Sequence, residues 1–406
     1  MDGKREFAHQ VVRIILSIVF GVIGLGLGVV IHIYLWRRLV RDTGIRGSWR
    51  KGLAIAGIGL GATLPITFVL IRLVDAGAAR VFSWPAFLWM ALTFYAVLAL
   101  LVIDAGWLIR RSVNRARKLD TPPVDASRRE FFARVTGGAA VAAAGGVTAI
   151  GMASALSEIE IVEVEVALPR LPKSMDGFVI GQITDLHVGF TVATPYVQGI
   201  VDRVNSMNPD MVALTGDLVD GSPKQLAPWV APLGTLRSRH GSYFVTGNHE
   251  YLAGADDWLD VYRGLGMRVL RNERVEIRRG DDVFDLAGVD DYQAKRLAKG
   301  HGADLGKALA GRDTSRELVL LAHQPREVHR AKKHGVGLQL SGHTHGGQIW
   351  PWHYLVMIQQ GGLLAGKSRH GDTWLYTSRG CGYWGPPVRV GAPPEITKII
   401  LRSGRA

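Results

Sequence analysis

With 406 residues the chain has room for two or three domains, and 48% of it is apolar. Its net charge of +13 is unevenly spread: residues 1–156 hold 19 Lys/Arg against 8 Asp/Glu, and the other 250 hold 29 against 27. The near-neutral second part argues against a nucleic-acid surface there, because phosphate-backbone binding needs a basic face. One cysteine, Cys381, excludes an internal disulfide and a cysteine-based zinc site. It is expected to be a small packing residue.

Three apolar runs come first, at 11–36, 52–73 and 85–109. Each is close to the roughly 20 residues that carry a helix across a bilayer. The basic excess lies in two loops, WRRLVRDTGIRGSWRK (36–51) and RRSVNRARKLDTPPVDASRR (110–129), whereas the 74–84 connection has only Arg80. Lys and Arg mark the cytoplasmic side of short loops, which places both basic loops inside and the N-terminus outside. Gly24 with Gly28, and Gly57 with Gly61, have the spacing that lets membrane helices approach closely. GVIGLGLG lacks the strand–turn–helix context of a nucleotide loop. Asp75 and Asp104 fall near predicted span ends, where interface solvation accounts for them.

A fourth run, 131–156, is Ala/Gly-rich. It begins within SRREFFARV (127–135) and ends near Ala153-Ser154-Ala155, so it resembles a twin-arginine export signal. The alternative is a basic flank before an ordinary membrane helix. Either way this segment runs outward, and the remainder of the chain is expected outside the cytoplasm. The expected layout is a transmembrane helical region (1–126), a signal or anchor segment (127–157) and a third domain (158–406).

From residue 158 the pattern is α/β. FVIGQIT (178–184) leads into Asp185, Leu186 and His187. DMVALT (210–215) leads into Gly216-Asp217 and Asp220, and SYFVT (242–246) into Gly247-Asn248-His249-Glu250. ELVLLA (317–322) leads into His323, and VGLQLS (336–341) into Gly342-His343-Thr344-His345. Short apolar runs bounded by Gly or Pro predict buried strands. Helical stretches at 194–208 and 256–267 alternate with them, as in a layered α/β domain. Five strand ends therefore each deliver Asp, Asn or His, and α/β sheets bind ligands beyond such ends. So many carboxylates and imidazoles buried together require pairing or metal. The donor types suit Zn, Mn or Fe, in numbers sufficient for two ions.

These five blocks, in order over roughly 176–400, resemble the calcineurin-like metallophosphoesterase superfamily. The GHTHGGQIWP block and the RGCGYWGPPVRVGAPPEITKIIL ending look like its bacterial membrane-associated or twin-arginine-exported branch, the YkuE/YaeI type. The resemblance implies a four-layer α-β-β-α sandwich behind the all-α membrane region. It implies one divalent ion on Asp185, His187, Asp217 and His345, and a second on Asp217, Asn248, His323 and His343, with Asp217 bridging. It further implies hydrolysis by hydroxide held between the ions, with His249 as general acid. Glu250, next in the chain, is expected to orient or charge-stabilise His249, and Asp220 to support ligands rather than act as one.

The expected function is a multi-pass bacterial membrane phosphohydrolase with its catalytic domain extracytoplasmic, favouring diesters over monoesters. A lipid head group, an envelope polymer and a nucleotide all fit as substrate. The expected partners are the bilayer and, for export, the twin-arginine machinery, with nucleic acid disfavoured. The alternatives are a nuclease, and a metal-bound sensor or scaffold coupled to the membrane bundle. His240, His301, His329, His334 and His370 read as solvated loop or helix residues. Trp350, Trp352 and Tyr354 around His353 read as core packing in preference to a substrate floor or a bilayer contact.

Overall fold

A computed structural model of the chain describes residues 19, 21–71, 73–119 and 125–404. The start of the first apolar run and the 120–124 stretch of the second basic loop lie outside the described residues. The chain divides into two compact units, one of residues 1–74 with 78–149 and one of 75–77 with 150–406.

The first unit is helical. Among the described residues, four helices are long and apolar enough to cross a membrane: α1 (Gly21–Arg41), α2 (Gly47–Leu70), α3 (Ala76–Ala116) and α4 (Ala126–Leu156). Many of their large apolar side chains face outward, as with Ile55 (71% exposed) and Val102 (66%). That is the inverse of a water-soluble bundle and matches a lipid surround. Two readings of the sequence change here. Asp104 is not simply solvated at an interface: Arg38 pairs with it at 2.7 Å and Tyr34 donates to it at 2.7 Å, as an ionisable group near the membrane requires. Of the four spaced glycines, only Gly61 has a close neighbour, His32; Gly24, Gly28 and Gly57 face open space. The spacing therefore marks a helix contact only at Gly61.

The second unit holds two six-stranded sheets. The first runs β1 (Glu160–Leu168), β12 (Glu395–Ser403), β2 (Phe178–Ile183), β3 (Met211–Leu214), β4 (Ser242–Phe244), β5 (Met267–Val269). The second runs β10 (Gly366–His370), β11 (Thr373–Thr377), β9 (Leu338–Ser341), β8 (Leu318–Leu321), β7 (Asp282–Gly288), β6 (Glu273–Arg279). Phe178, Ile180 and Met211 from one sheet meet Phe284, Val319 and Leu338 from the other in a single core. Helices cover the outside. In α5 (Thr194–Ser206), Val197, Ile200, Val201 and Val204 are buried, the spacing of one helical face. β3 and β8 are buried at every position, because parallel strands covered on both faces need no polar alternation.

The fold sets the site by direction. β2, β3 and β4 are parallel neighbours, as are β8 and β9. Their C-terminal ends open onto one edge, where all five sequence blocks begin.

Candidate metal centre

The loops after these strands are built on unusual backbone. Asp185, His187, Asp217, His343 and His345 all have positive φ, between 49° and 74°, a region that non-glycine residues seldom occupy. Each thereby turns its side chain back over the sheet edge. Neighbouring glycines make room: a side chain at Gly247 would strike the Asp217 carboxylate, and one at Gly342 the Asp185 carboxylate.

The side chains converge into three overlapping groups, with ligand atoms within 4.8 Å of one another: Asp185, His187 and His345; His187, Asp217 and His249; Asp217, His323 and His343. Asp185 is fully buried, and His187, Asp217 and His323 nearly so. The His187 and His345 Nε2 atoms are 2.9 Å apart. His323 Nε2 lies 3.1 Å from Asp217 Oδ2, and His345 Nε2 lies 3.5 Å from Asp185 Oδ1. Backbone amides support the carboxylates: His343 N–H donates to both Asp185 oxygens at 2.9 and 3.0 Å, and His249 N–H to Asp217 Oδ1 at 2.8 Å.

The arrangement fits metal. The Nδ1 of His323 sits 2.7 Å from the Thr215 carbonyl, which only accepts, so Nδ1 carries the proton. Nε2 faces the Asp217 carboxylate; burial pulls this ring down, but the charge of Asp217 outweighs it and holds His323 well above the usual imidazole range. A carboxylate that holds a proton on Nε2 suits a metal ion there equally well. His187 repeats the pattern. Its Nδ1 donates to Asp220 Oδ1 at 2.8 Å, leaving Nε2 towards the cluster. Asn248 Oδ1 is buried without a hydrogen-bond partner, which is costly unless something positive meets it. Burial, helped by the charge of His323, pushes His343 down to about 3. Burial likewise holds His345 well below the usual imidazole range. Both rings stay neutral and able to donate a lone pair. Burial also pushes the Asp185 carboxyl up, the penalty a nearby cation would relieve.

His249 stands at the edge of the cluster, its Nδ1 2.7 Å from Asp220 Oδ1 and its Nε2 4.0 Å from Asp217 Oδ2. Burial pulls this ring down, but the charges of Asp217 and Asp220 outweigh it and hold His249 up to about 10. Asp220 thus binds the Nδ1 of both His187 and His249. Glu250 does not touch the His249 ring, although its charge is among those that hold that ring up. Its buried carboxylate accepts from Asp217 N–H at 2.9 Å, Leu218 N–H at 2.7 Å and Gly247 N–H at 2.7 Å. It ties the β3 and β4 loops together, while the contact to the His249 ring belongs to Asp220.

Two residues escape sequence reasoning. Arg389 is fully buried and donates to the carbonyls of His345, Arg379 and Ala392 at 3.1, 2.9 and 3.1 Å, so it clamps the turn that carries His345. Trp384 is 57% exposed, and its ring centre is 6.0 Å from that of His249. Both sit in the GYWGPPVRV segment, where an arginine and a tryptophan between glycines and prolines are the available signal. The remaining histidines differ from their reading at one point. The His301 side chain is only 6% exposed and lies 2.7 Å from Arg271, beside Asp290 and Tyr251. Trp350, Trp352 and Tyr354 are about half exposed, so they are not core residues.

A family model described as calcineurin-like phosphoesterase matches residues 178–347. A Danio rerio protein named as a transmembrane protein with metallophosphoesterase domain is 37% identical over 62% of this chain and 59% of its own length. An uncharacterized metallophosphoesterase of Aquifex aeolicus is 35% identical over 57% of this chain and 88% of its own. The uncharacterized metallophosphoesterase YkuE of Bacillus subtilis is 30% identical over 68% of this chain and 98% of its own. The chain spans about three-fifths of the length of the vertebrate relatives. Among solved structures, a dimetal phosphatase from Danio rerio aligns with a TM-score of 0.36 at 13% identity, covering 54% of this chain and 91% of that one.

Proposed function

This chain belongs to the calcineurin-like metallophosphoesterase family, and we propose that it is a membrane-anchored, two-metal phosphohydrolase acting on phosphodiesters outside the cytoplasm. The observation that carries the reading is the convergence of Asp185, His187, Asp217, His323, His343 and His345 in overlapping groups beside the partnerless, buried Asn248 Oδ1. Asp185, His187, Asp217 and His345 would hold one divalent ion; Asp217, Asn248, His323 and His343 would hold the other. Such ions, of zinc, manganese or iron type, polarise phosphoryl oxygens and lower the pKa of water.

The chain's own residues then have definable tasks. His249 keeps a proton on Nε2, because Asp220 accepts from Nδ1 and stabilises the charged ring. It stands where a leaving oxygen would need that proton. Asp220, shared with His187, couples the position of this acid to that of a metal ligand. Glu250 holds the Asp217 loop in place. Trp384 offers an apolar wall beside the acid, which suits a second esterified group better than a bare phosphate.

The test uses the purified chain in detergent: bound metal, then hydrolysis of an activated aryl phosphodiester beside the matching monoester, with Asp217→Asn as control. About two ions per chain and control-sensitive diester turnover are expected. A folded protein that takes up no divalent ion would sink the reading. Export rests on Arg128, Arg129 and the Ala/Gly-rich segment after them. With both arginines changed to lysine, the domain should become protease-protected in spheroplasts. If it stays accessible to added protease, export by that route is excluded.

A further inference from the structure

Beside the candidate metal centre the chain displays an apolar ridge. Five residues after His345 comes Trp350, then Trp352, Tyr354, Leu355 and Ile358, exposed by 51, 49, 52, 54 and 75%. The last three lie on the helix His353–Gln359, which has no buried residue. His353, Val356 and Met357 are partly covered on its inner side, which leaves the outer side free for another contact, and two Trp and a Tyr beside Leu and Ile compose a water–bilayer interface.

The covalent neighbourhood identifies that contact. The last turns of α4, Ile150–Leu156, belong to the same compact unit as the ridge. Gly151 accepts from Arg389 N–H at 2.8 Å, and any side chain there would run into Val388 and Val390. Val390 pairs with Ile349, and its carbonyl accepts from Trp350 N–H at 3.0 Å. The end of a membrane-spanning helix is thus one strand-like segment away from the first tryptophan of the ridge. Its depth can be read from the sequence. Between Arg134 and Glu158 lie 23 uncharged residues, ~34 Å of helix, close to the ~30 Å hydrocarbon layer. Gly151 lies six residues before the end of that stretch, ~9 Å along the axis. With the stretch centred on that layer, this is ~7 Å inside the hydrocarbon edge, within the ~5–10 Å to which interfacial apolar side chains sink.

We propose that the ridge Trp350–Ile358 docks on the bilayer surface, setting the metal centre at headgroup level and making membrane-borne phosphoesters its substrate class. The substrate half rests on the phosphohydrolase reading; the docking half does not.

The full chain is tested in nanodiscs of phosphatidylethanolamine and phosphatidylglycerol. Cys381 is the native cysteine and is buried, so a thiol-reactive bimane can be directed to Ile358→Cys, with Asp372→Cys as a control on the fully exposed β10–β11 turn. Brominated lipid should quench the label at 358 and spare the one at 372, and aqueous iodide should do the reverse. Iodide quenching both labels equally overturns docking. So does a 358 label shielded from both quenchers, because that outcome means a second protein chain covers the ridge. For the substrate half, Trp352→Ser with Ile358→Ser should lower the ratio of turnover on a phosphodiester lipid in the nanodisc to turnover on a soluble aryl diester. The expected fall is about tenfold for each ~1.4 kcal/mol of docking lost. An unchanged ratio overturns the substrate class and leaves the hydrolase standing. No turnover of either ester by the native chain, with lipid quenching at 358, removes the hydrolase and leaves docking standing.

Discussion

Replacing Glu250 by Gln separates two roles that adjacency in the chain confuses. If Glu250 served His249, the variant would behave as a damaged acid. The structure instead gives its carboxylate three backbone N–H donors, from Asp217, Leu218 and Gly247, with Tyr262 OH at 3.4 Å. An amide has one oxygen. Turned towards Asp217 and Gly247, which share one carboxylate oxygen, it keeps two acceptor contacts and leaves the Leu218 N–H facing an NH2 group. One buried donor without a partner costs ~1–3 kcal/mol. For a unit of this size each kcal/mol lowers the melting temperature by ~2–4 °C, so a fall of roughly 2–12 °C is expected, with weaker metal retention as the Asp217 loop loosens. The measurement is thermal unfolding of the full chain in detergent. It belongs above pH about 7, the value to which burial and the Asp217 charge push Glu250, so that the native carboxylate is ionised. Turnover should fall by a similar factor for good and poor leaving groups. An unchanged melting temperature together with a loss confined to poor leaving groups would refute the placement and return Glu250 to the acid.

His249→Asn should retain bound metal and cut hydrolysis of poor leaving groups about 10²–10⁴-fold while sparing activated aryl esters; equal losses for both would remove it as the acid. Asp217→Asn should lower the metal-to-chain ratio seen by elemental analysis, and a native ratio in that variant would rule out Asp217 as the shared ligand. Trp384→Ala should raise KM for aryl diesters more than it lowers kcat; the opposite split would place the ring in the chemistry instead of in binding. Glu327 is buried with Arg330 at 3.2 Å, and burial pushes it from 4.5 up to about 7. A raised carboxyl favours the fold fully below its unfolded value and loses that stability as pH rises through about 7. Glu327→Gln in the chelated protein should therefore flatten the stability profile between those values by ~3 kcal/mol, and a denaturant midpoint that still tracks the native one over that window would contradict it.

The parts of the molecule legible in the sequence are those where one strong physical constraint acts on consecutive residues. β2, β3, β8 and β9 are covered on both faces, so each reads as an unbroken apolar run, and the polar block after each is the ligand loop. The four membrane helices are legible for the same reason. β6, ERVEIRR, is partly exposed along most of its length and carries no such run; β5 has only three residues. Neither can be distinguished from loop without the partner strand. The same holds for long-range polar partners. Asp104 finds Arg38 and Tyr34 across the helical unit, His301 finds Arg271, and Glu250 finds the β3 loop. Adjacency in the chain suggests His249 for Glu250, because the sequence shows neighbours in order and not in space. The aromatic cluster at 350–354 is misread by a similar default. Large apolar residues are assumed buried, and nothing local says that a bilayer stands in for the core.

The backbone of the ligand loops connects this geometry to stability. Five residues of the cluster, three His and two Asp, hold positive φ. Asp and His tolerate that region better than branched residues, so the low end of the usual cost, ~1 kcal/mol each, is appropriate. The total, ~5 kcal/mol, is comparable with the whole net stability of a small domain, ~5–15 kcal/mol. Backbone N–H hydrogen bonds to Asp185 and Asp217 and the Glu250 tie offset part of it. They do nothing for the buried Asn248 Oδ1, which has no hydrogen-bond partner, or for the crowding of Asp185 and Asp217 with their imidazoles. A cation that meets these donors binds only the folded arrangement, so bound metal adds directly to folding stability. Chelation should consequently lower the melting temperature of the native chain, and the fall should shrink in Asp217→Asn, which has already lost part of the charge that draws the ion in. A native chain that melts at the same temperature with and without chelator, after its metal has been shown to leave, would mean that the strained loops are held by the protein scaffold alone.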